Sequence, residues 1–446
     1  MPEYIRHDEG TFSSLTKQQK EAVGLLSIGT FLEYFDLMLY VHMAVLLNEL
    51  FFPKADPHTA TIYSALAFCS TYVLRPFGAL IFGWIGDHIG RKTTVIITTF
   101  MMSISCIIMA NLPTYAQIGI TATYIISICR IIQGISSMGE IIGAEIYLTE
   151  ITKPPVRYPI VAIISFISSL GGSFALAIAA FVTSFGLSWR IAFWIGAGVA
   201  IIGTIARTTL RETKDFADAK KILESMLEEC NQNPSTLQHS MLHEKINISK
   251  AFALFCVSCA WPVCFYFIYI YCGNILKTSF NYTAEQVINH NLIISIGTLL
   301  GSFTWSFLSY YIYPLKIAKA KLIVFSVSIL LFPYLLTNIH NSVYLLLIQL
   351  FLAFFAVSEL PTNPILFKHF PIFKRFTYAS FMYAISRTIM YIITSFGIVY
   401  LVEYFNYWGV LIIIIPVLIL YTFGLYHFEK LEKEVGNYPK TIMNMG

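Results

Sequence analysis

Eight charged side chains stand inside long apolar stretches of this chain: Glu33, Asp36, Arg75, Arg130, Glu140, Glu145, Glu359 and Arg387. Each would cost about 2.5–3.5 kcal/mol at the centre of a membrane-spanning helix, hence on the order of 20 kcal/mol together if they faced lipid. They are therefore expected to face a bundle interior or a water-filled cavity and to pair with one another. Five acids against three arginines leave acids over. A carboxylate removed from water is disfavoured relative to its protonated form, so such a group can load a proton near neutral pH. An arginine stays charged and can grip a carboxylate through two parallel N–H bonds. Surplus acids beside interior arginines are what a proton-coupled carrier of a small polar solute requires.

Helical spacing groups these side chains. Glu33 and Asp36 are three apart and Tyr40 lies four beyond, which makes one polar stripe. Arg130, Gln133, Ser137 and Glu140 follow a 3-4-3 pattern on one face. Gly134, Gly139 and Gly143 lie close to that face and would let a neighbouring helix approach. Tyr383, Arg387 and Tyr391 are spaced by four. An arginine between two tyrosines can hold an anionic group or make cation–π contacts; it can equally pair with Glu359 or with a first-span acid. The candidates for proton carriage are Glu33, Asp36 and Glu140. Those for solute contact are Arg75, Tyr383, Arg387 and Tyr391.

The elements that must position these groups are membrane spans. Of the 446 residues 57% are hydrophobic and 12% charged, against about 25% charged in soluble domains. With about 20 residues needed per span, we read twelve: 22–48, 59–86, 91–111, 116–147, 156–184, 188–210, 250–277, 283–312, 318–338, 341–366, 376–401 and 405–427. The predicted fold is all-α, twelve transmembrane helices in two pseudo-symmetric six-helix bundles. The bundles are 21–212 and 249–428. A polar linker (213–248) joins them, and polar tails (1–20 and 429–446) flank them. The tail from Glu429 is charged and expected to be mobile. No signal peptide is expected, since the first long apolar run exceeds the length of a signal core.

Basic residues cluster on one set of connections (Arg91, Lys92; Lys153, Arg157; Arg211, Lys214, Lys220, Lys221; Lys316, Lys319, Lys321; Lys368, Lys374, Arg375), while the opposite set holds Lys54, Arg190 and Lys277. The positive-inside rule then places both termini and the linker in the cytoplasm. The basic residues form no continuous stripe, so nucleic acid is not an expected partner. No Gly-x-x-x-x-Gly-Lys-Ser/Thr loop for ATP occurs. Cys256, Cys259 and Cys264 lack a fourth ligand for a metal site and read as small apolar packing residues.

One stretch combines a close-packing helix with a charged turn: Arg75-Pro76-Phe77-Gly78, then Gly83 through Asp87-His88-Ile89-Gly90-Arg91-Lys92. Its glycines allow two helices and their turn to approach closely. Gly83 to Lys92 resembles the cytoplasmic-loop signature of the major facilitator superfamily. The chain is further similar to the metabolite:proton symporter family of bacterial osmoprotectant, shikimate and 2-oxoglutarate carriers. That likeness rests on Gly29-Thr30-Phe31-Leu32-Glu33-Tyr34-Phe35-Asp36, Arg75-Pro76-Phe77-Gly78-Ala79, Leu112-Pro113-Thr114-Tyr115-Ala116-Gln117-Ile118-Gly119, Arg130-Ile131-Ile132-Gln133-Gly134, Gly139-Glu140, Trp189-Arg190-Ile191-Ala192-Phe193 and Leu210-Arg211-Glu212-Thr213. It covers nearly all of the first half.

The resemblance implies a central site reached by alternating access. Asp87, with Gly83, Gly90 and Arg91, would belong to a cytoplasmic gate, Arg130 to a proton-linked motif, and Arg75 to the cavity. In the first half Met138 replaces an expected glycine and His88 a basic residue. The second half keeps Phe370-Pro371 and Arg375-Phe376-Thr377, but Tyr310, Tyr311 and Tyr313 stand where the second gate copy would carry Asp, Arg and Gly. The expected protein is a non-enzymatic secondary transporter, a proton symporter of a small polar or anionic metabolite. It needs no cofactor beyond the proton and acts as a monomer in the lipid bilayer of a bacterial plasma (inner) membrane. The alternatives are proton-coupled efflux of an amphipathic compound, favoured by 15% aromatic residues, and a non-transporting metabolite sensor.

Overall fold

A computed structural model describes residues 15–53, 69, 71–88, 91–137, 141–208 and 247–439. Glu140, Gly90 and almost all of the linker lie outside these residues, and the side chains of Asp87 and Arg91 are not described. In the first half the helices are α1 (Lys17–Phe51), α2 (Arg75–His88), α3 (Arg91–Asn111), the single turn α4 (Tyr115–Ile118), α5 (Ile120–Ser136), α6 (Ile141–Ile151), α7 (Arg157–Ser184) and α8 (Arg190–Thr208). The second half holds α9 (Ile248–Ser258), α10 (Ala260–Phe265), a π-helical turn (Tyr266–Tyr271), α11 (Cys272–Phe280), α12 (Ala284–Leu308), α13 (Pro314–Thr337), α14 (Ser342–Phe355), α15 (Asn363–Lys368), α16 (Ile372–Phe405), a 3-10 turn (Asn406–Trp408) and α17 (Gly409–Val435). Among the described residues there is no strand.

Among the described residues, seven apolar helical stretches have the length and composition to cross a bilayer, and the last, Lys374–Val435, is two helices joined by the 3-10 turn. Four shorter apolar helices, Thr71–Ile85, Ile96–Asn111, Arg190–Val199 and Ser342–Phe355, bring the segments to twelve. Each overlaps one predicted span. The outer faces carry exposed Phe77, Trp84, Ile202, Ile323 and Ile419. On membrane-spanning helices such side chains meet acyl chains rather than water.

Helix ends follow local chemistry. The Thr283 hydroxyl accepts from the Gln286 N–H while the Gln286 side chain accepts from the Thr283 N–H, a reciprocal cap that starts α12. Asn247 and Asn341 cap α9 and α14 in the same spirit, each side chain accepting the N–H two residues on. Packing within the first bundle depends on missing side chains. A Cβ at Gly134 would overlap the Thr71 carbonyl oxygen, and one at Gly171 the Phe31 carbonyl oxygen, so α5 and α7 lie directly on backbone of the second and first spans. Contact between the two halves runs through α2 against α16 and α7 against α12.

Two expectations need correction. The tenth span is not one helix. It breaks between Phe355 and Asn363, where the segment carries Glu359 and Pro361. Unwound backbone is tolerated at membrane depth where it is buried in protein or lines a cavity, and this segment does line one. The tail from Glu429 is also not loose at its start. Helix α17 continues to Val435, Glu429 is ion-paired with Lys319 and Lys433, and Glu432 accepts from Tyr313 Oη (2.6 Å) and pairs with His369 Nε2 (2.8 Å). Lys319, His369 and Tyr313 on neighbouring elements, with Lys433 of α17 itself, hold those carboxylates in place.

Candidate functional site

A cavity of about 130 Å3 lies between the two halves, with thirteen lining residues from each. For scale, an engineered cavity of about 150 Å3 accepts benzene. Its floor and walls come from α1, the second span, α6 and α7 on one side, and from the seventh span, α12, the broken tenth span and α16 on the other. The π-helical turn of the seventh span contributes Tyr269. Such turns widen a helix locally and are frequent at functional sites.

Tyrosines bridge the halves at the cavity. Tyr34 and Tyr383 share a hydrogen bond between their hydroxyls at 2.9 Å, and the rings of Tyr72 and Tyr391 meet at 4.2 Å. Thr388 Oγ1 donates to the Tyr72 carbonyl at 2.6 Å. Each arginine here lies over a tyrosine one helical turn earlier, Arg75 over Tyr72 (4.2 Å) and Arg387 over Tyr383 (3.3 Å). Arg387 Nη1 also donates to Glu359 Oε1 at 3.0 Å, so the pairing with Glu359 is realised. Arg75 differs. It is 3% exposed, and among the described residues its Nε and Nη2 have no hydrogen-bond partner.

All four residues expected to meet a solute, Arg75, Tyr383, Arg387 and Tyr391, line this cavity. Glu33, Asp36 and Tyr40 of the first span and Arg130, Gln133 and Ser137 of the fourth do not. Glu33, Asp36 and Tyr40 are buried within the first bundle, where a Cβ on Gly196 of α8 would come 2.8 Å from Asp36 Oδ1. Arg130 lies over the Tyr40 ring at 4.1 Å, and its Nη1 donates to Gln133 Oε1 at 2.8 Å and to the Leu37 carbonyl at 3.5 Å. Helical spacing correctly groups Arg130 with Gln133, but that face turns toward α1 and α3, not toward the cavity.

Sequence reasoning passed over Glu145, Asn363 and His42, all on the cavity wall. Glu145 was visible as an intramembrane charge. Asn363 and His42 carried no signal, because an amide or imidazole in an apolar run does not disclose which way it points.

At the ends of α6 and α16 the bundles meet through three consecutive residues. Arg375 Nη1 pairs with Glu150 at 3.0 Å, the Phe376 ring lies 3.0 Å from where a Gly143 Cβ would be, and Thr377 Cα lies 3.1 Å from where a Gly83 Cβ would be. Gly83 thus sits at a bundle-to-bundle contact. The tyrosine-altered turn of the second half makes its own contacts. Tyr313 bonds Glu432 and meets Tyr158 edge-on across the halves at 6.1 Å, so a phenol stands where a glycine was expected. Among the described residues no group of three or more His, Cys, Asp or Glu side chains gathers as a metal site.

Comparison with known proteins agrees with this architecture. The chain is 29% identical over 291 residues to the proline/betaine transporter of Salmonella typhimurium, covering 63% of this chain and 57% of that protein. It is 34% identical over 224 residues to the inner membrane metabolite transport protein YhjE of Escherichia coli, 48% of this chain and 51% of that one. The aligned part thus spans a little over half the length of these relatives. Among solved structures, the proton:xylose symporter XylE superposes with a TM-score of 0.72 at 16% identity, covering 94% of this chain and 96% of that one. The human organic anion transporter MFSD10 gives 0.67 at 15% identity, with 93% and 100% covered. These two likenesses concern the fold. The family model described as Major Facilitator Superfamily matches residues 26–335. With twelve apolar helical segments among the described residues about a cavity shared by two halves, the chain is a multi-pass membrane protein that belongs to the Major Facilitator Superfamily, a family of transporters and not of enzymes.

Proposed function

We propose that this protein is a proton-coupled secondary transporter of a small polar metabolite bearing a carboxylate, working by alternating access in a bacterial inner membrane with both termini cytoplasmic. The observation that carries the reading is Arg75. A guanidinium 3% exposed on a cavity wall, with two nitrogens lacking protein partners among the described residues, has donors to give to a ligand. An uncompensated buried charge is costly, and a solute carboxylate received through two N–H bonds would offset that cost. The tyrosines around it suit the apolar or cationic remainder of such a solute. Relatives bearing the name proline/betaine transporter support a solute of this size and polarity. A site shared equally by two bundles suits alternating exposure, each bundle carrying away half of the contacts when they rock apart.

The test is uptake by proteoliposomes of a labelled panel (proline, betaines, dicarboxylates, shikimate-like acids) with and without an inward proton gradient. Accumulation of one solute that collapses with a protonophore is the expected result. A correctly inserted protein that accumulates none of them refutes the reading.

A further inference from the structure

Among the acids of the cavity wall, Glu145 has a setting of its own. It is 1% exposed on α6. Its Oε1 accepts from Ser165 Oγ on α7 at 2.7 Å, and its Oε2 accepts from Asn363 Nδ2 on α15 at 2.6 Å. Ser165 belongs to the same bundle and Asn363 to the other. Among the described residues no lysine, arginine or histidine nitrogen comes within 4.0 Å of this carboxylate, whereas Glu359 has Arg387 and Glu150 has Arg375, each at 3.0 Å. An acid out of water with only neutral donors is the one for which the protonated form competes. Among the described residues, the other charged or titratable groups around the cavity are the Glu359–Arg387 pair, Arg75 on α2, His42 on α1, the hydrogen-bonded phenols Tyr34 and Tyr383, and Tyr72, Tyr269 and Tyr391, with Glu150–Arg375 further along α6.

Building on the proton-coupled reading, we propose that Glu145 is a proton-binding residue of the cavity and that its ionised form fastens the two bundles together through Asn363. A hydrogen bond to a carboxylate is roughly twice as strong as one to a neutral acceptor. A hydronium ion in the cavity gives up a proton, one of its O–H bonds breaking as an O–H bond forms on Glu145, and Asn363 Nδ2 is left donating to a weaker, neutral acceptor. Return of the proton to water breaks that O–H bond and restores the strong one. Asn363 follows the break in the tenth span, so it moves with the second bundle whenever the halves separate. Occupancy by a proton is thereby linked to the separation of the bundles.

Two measurements test this without a solute, on the full chain in lipid nanodiscs. Infrared difference spectra between acid and neutral pH report protonated carboxyl groups, and the band assigned to Glu145 should vanish in Glu145→Gln and survive in Asn363→Ala. Electron-spin distances between labels at exposed Lys153→Cys and Ile372→Cys, with Cys230→Ser in the linker, report bundle separation; the seven described cysteines are buried. Acidification should lengthen this distance in the parent protein. In Glu145→Gln it should be long and independent of pH, and in Asn363→Ala long already at neutral pH. A pH response that persists in Glu145→Gln assigns the change to other groups, such as Glu150–Arg375, and overturns the proposal. So does an unaltered carboxyl band. The uptake assay decides the transport reading on its own, so failure of one is told apart from failure of the other.

Discussion

Removing Arg387 should cost far more than removing Arg387 and Glu359 together. The two side chains are 4% and 7% exposed, and their charged atoms are 3.0 Å apart. At an effective dielectric constant of about 20, charges at that distance attract by about 5 kcal/mol. Taking both ions out of water costs several kcal/mol each, so the net value of the pair is small, but loss of one partner strands the other. We therefore expect Arg387→Gln and Glu359→Gln each to destabilise the protein by about 3–5 kcal/mol. The double variant should fall well short of the sum, with a coupling energy of about 3 kcal/mol or more. The stacking of Arg387 on Tyr383 at 3.3 Å is lost in Arg387→Gln and in the double variant alike, so it cancels from the coupling. Reversible unfolding of the four proteins by SDS in mixed micelles, followed by circular dichroism, provides the cycle. Additivity within about 0.5 kcal/mol would refute the argument, because it would mean that each charge is solvated independently of the other.

Three further outcomes follow from single contacts. Arg75→Lys should impair uptake at normal surface expression, because an ammonium cannot present two parallel donors; unchanged uptake removes Arg75 from solute recognition. Gly134→Ala should destabilise the first bundle by at least about 1–3 kcal/mol, since its Cβ would overlap the Thr71 carbonyl oxygen. A variant that unfolds at the same SDS fraction as the parent would show that α5 and the second span separate freely. Tyr313→Phe takes a donor from the buried Glu432 carboxylate and should cost about 1–3 kcal/mol. Faster proteolysis near the end of α17 is the sign to measure, and an unaltered cleavage rate counts against a docked tail.

The apolar runs and their interruptions carry the twelve spans, because a bilayer leaves helices little alternative for satisfying their backbone groups. Spacing by four placed Tyr383, Arg387 and Tyr391 on one face, and the family pattern in the first half brought Arg75 to notice. Intramembrane cost alone marked Glu145 and Glu359 as residues that cannot face lipid. The directions were a different matter. Glu33, Asp36 and Arg130 have the same composition signal as the cavity charges, yet they pack inside the first bundle. An apolar sequence of uniform hydropathy does not say which helix lies beside which, and in this chain the partner of a polar group sits on another span. Glu145 meets Asn363 218 residues away, and Tyr34 meets Tyr383 349 residues away. The break in the tenth span was passed over although Pro361 and Pro364 stand at it, because membrane-spanning helices also tolerate proline. What the sequence by itself determined was that this chain spans a membrane and carries charges it must shelter, a consequence of solvation. Which charges share the cavity, and which hold the bundles together, was decided by tertiary packing, through side-chain contacts between segments that the chain leaves far apart.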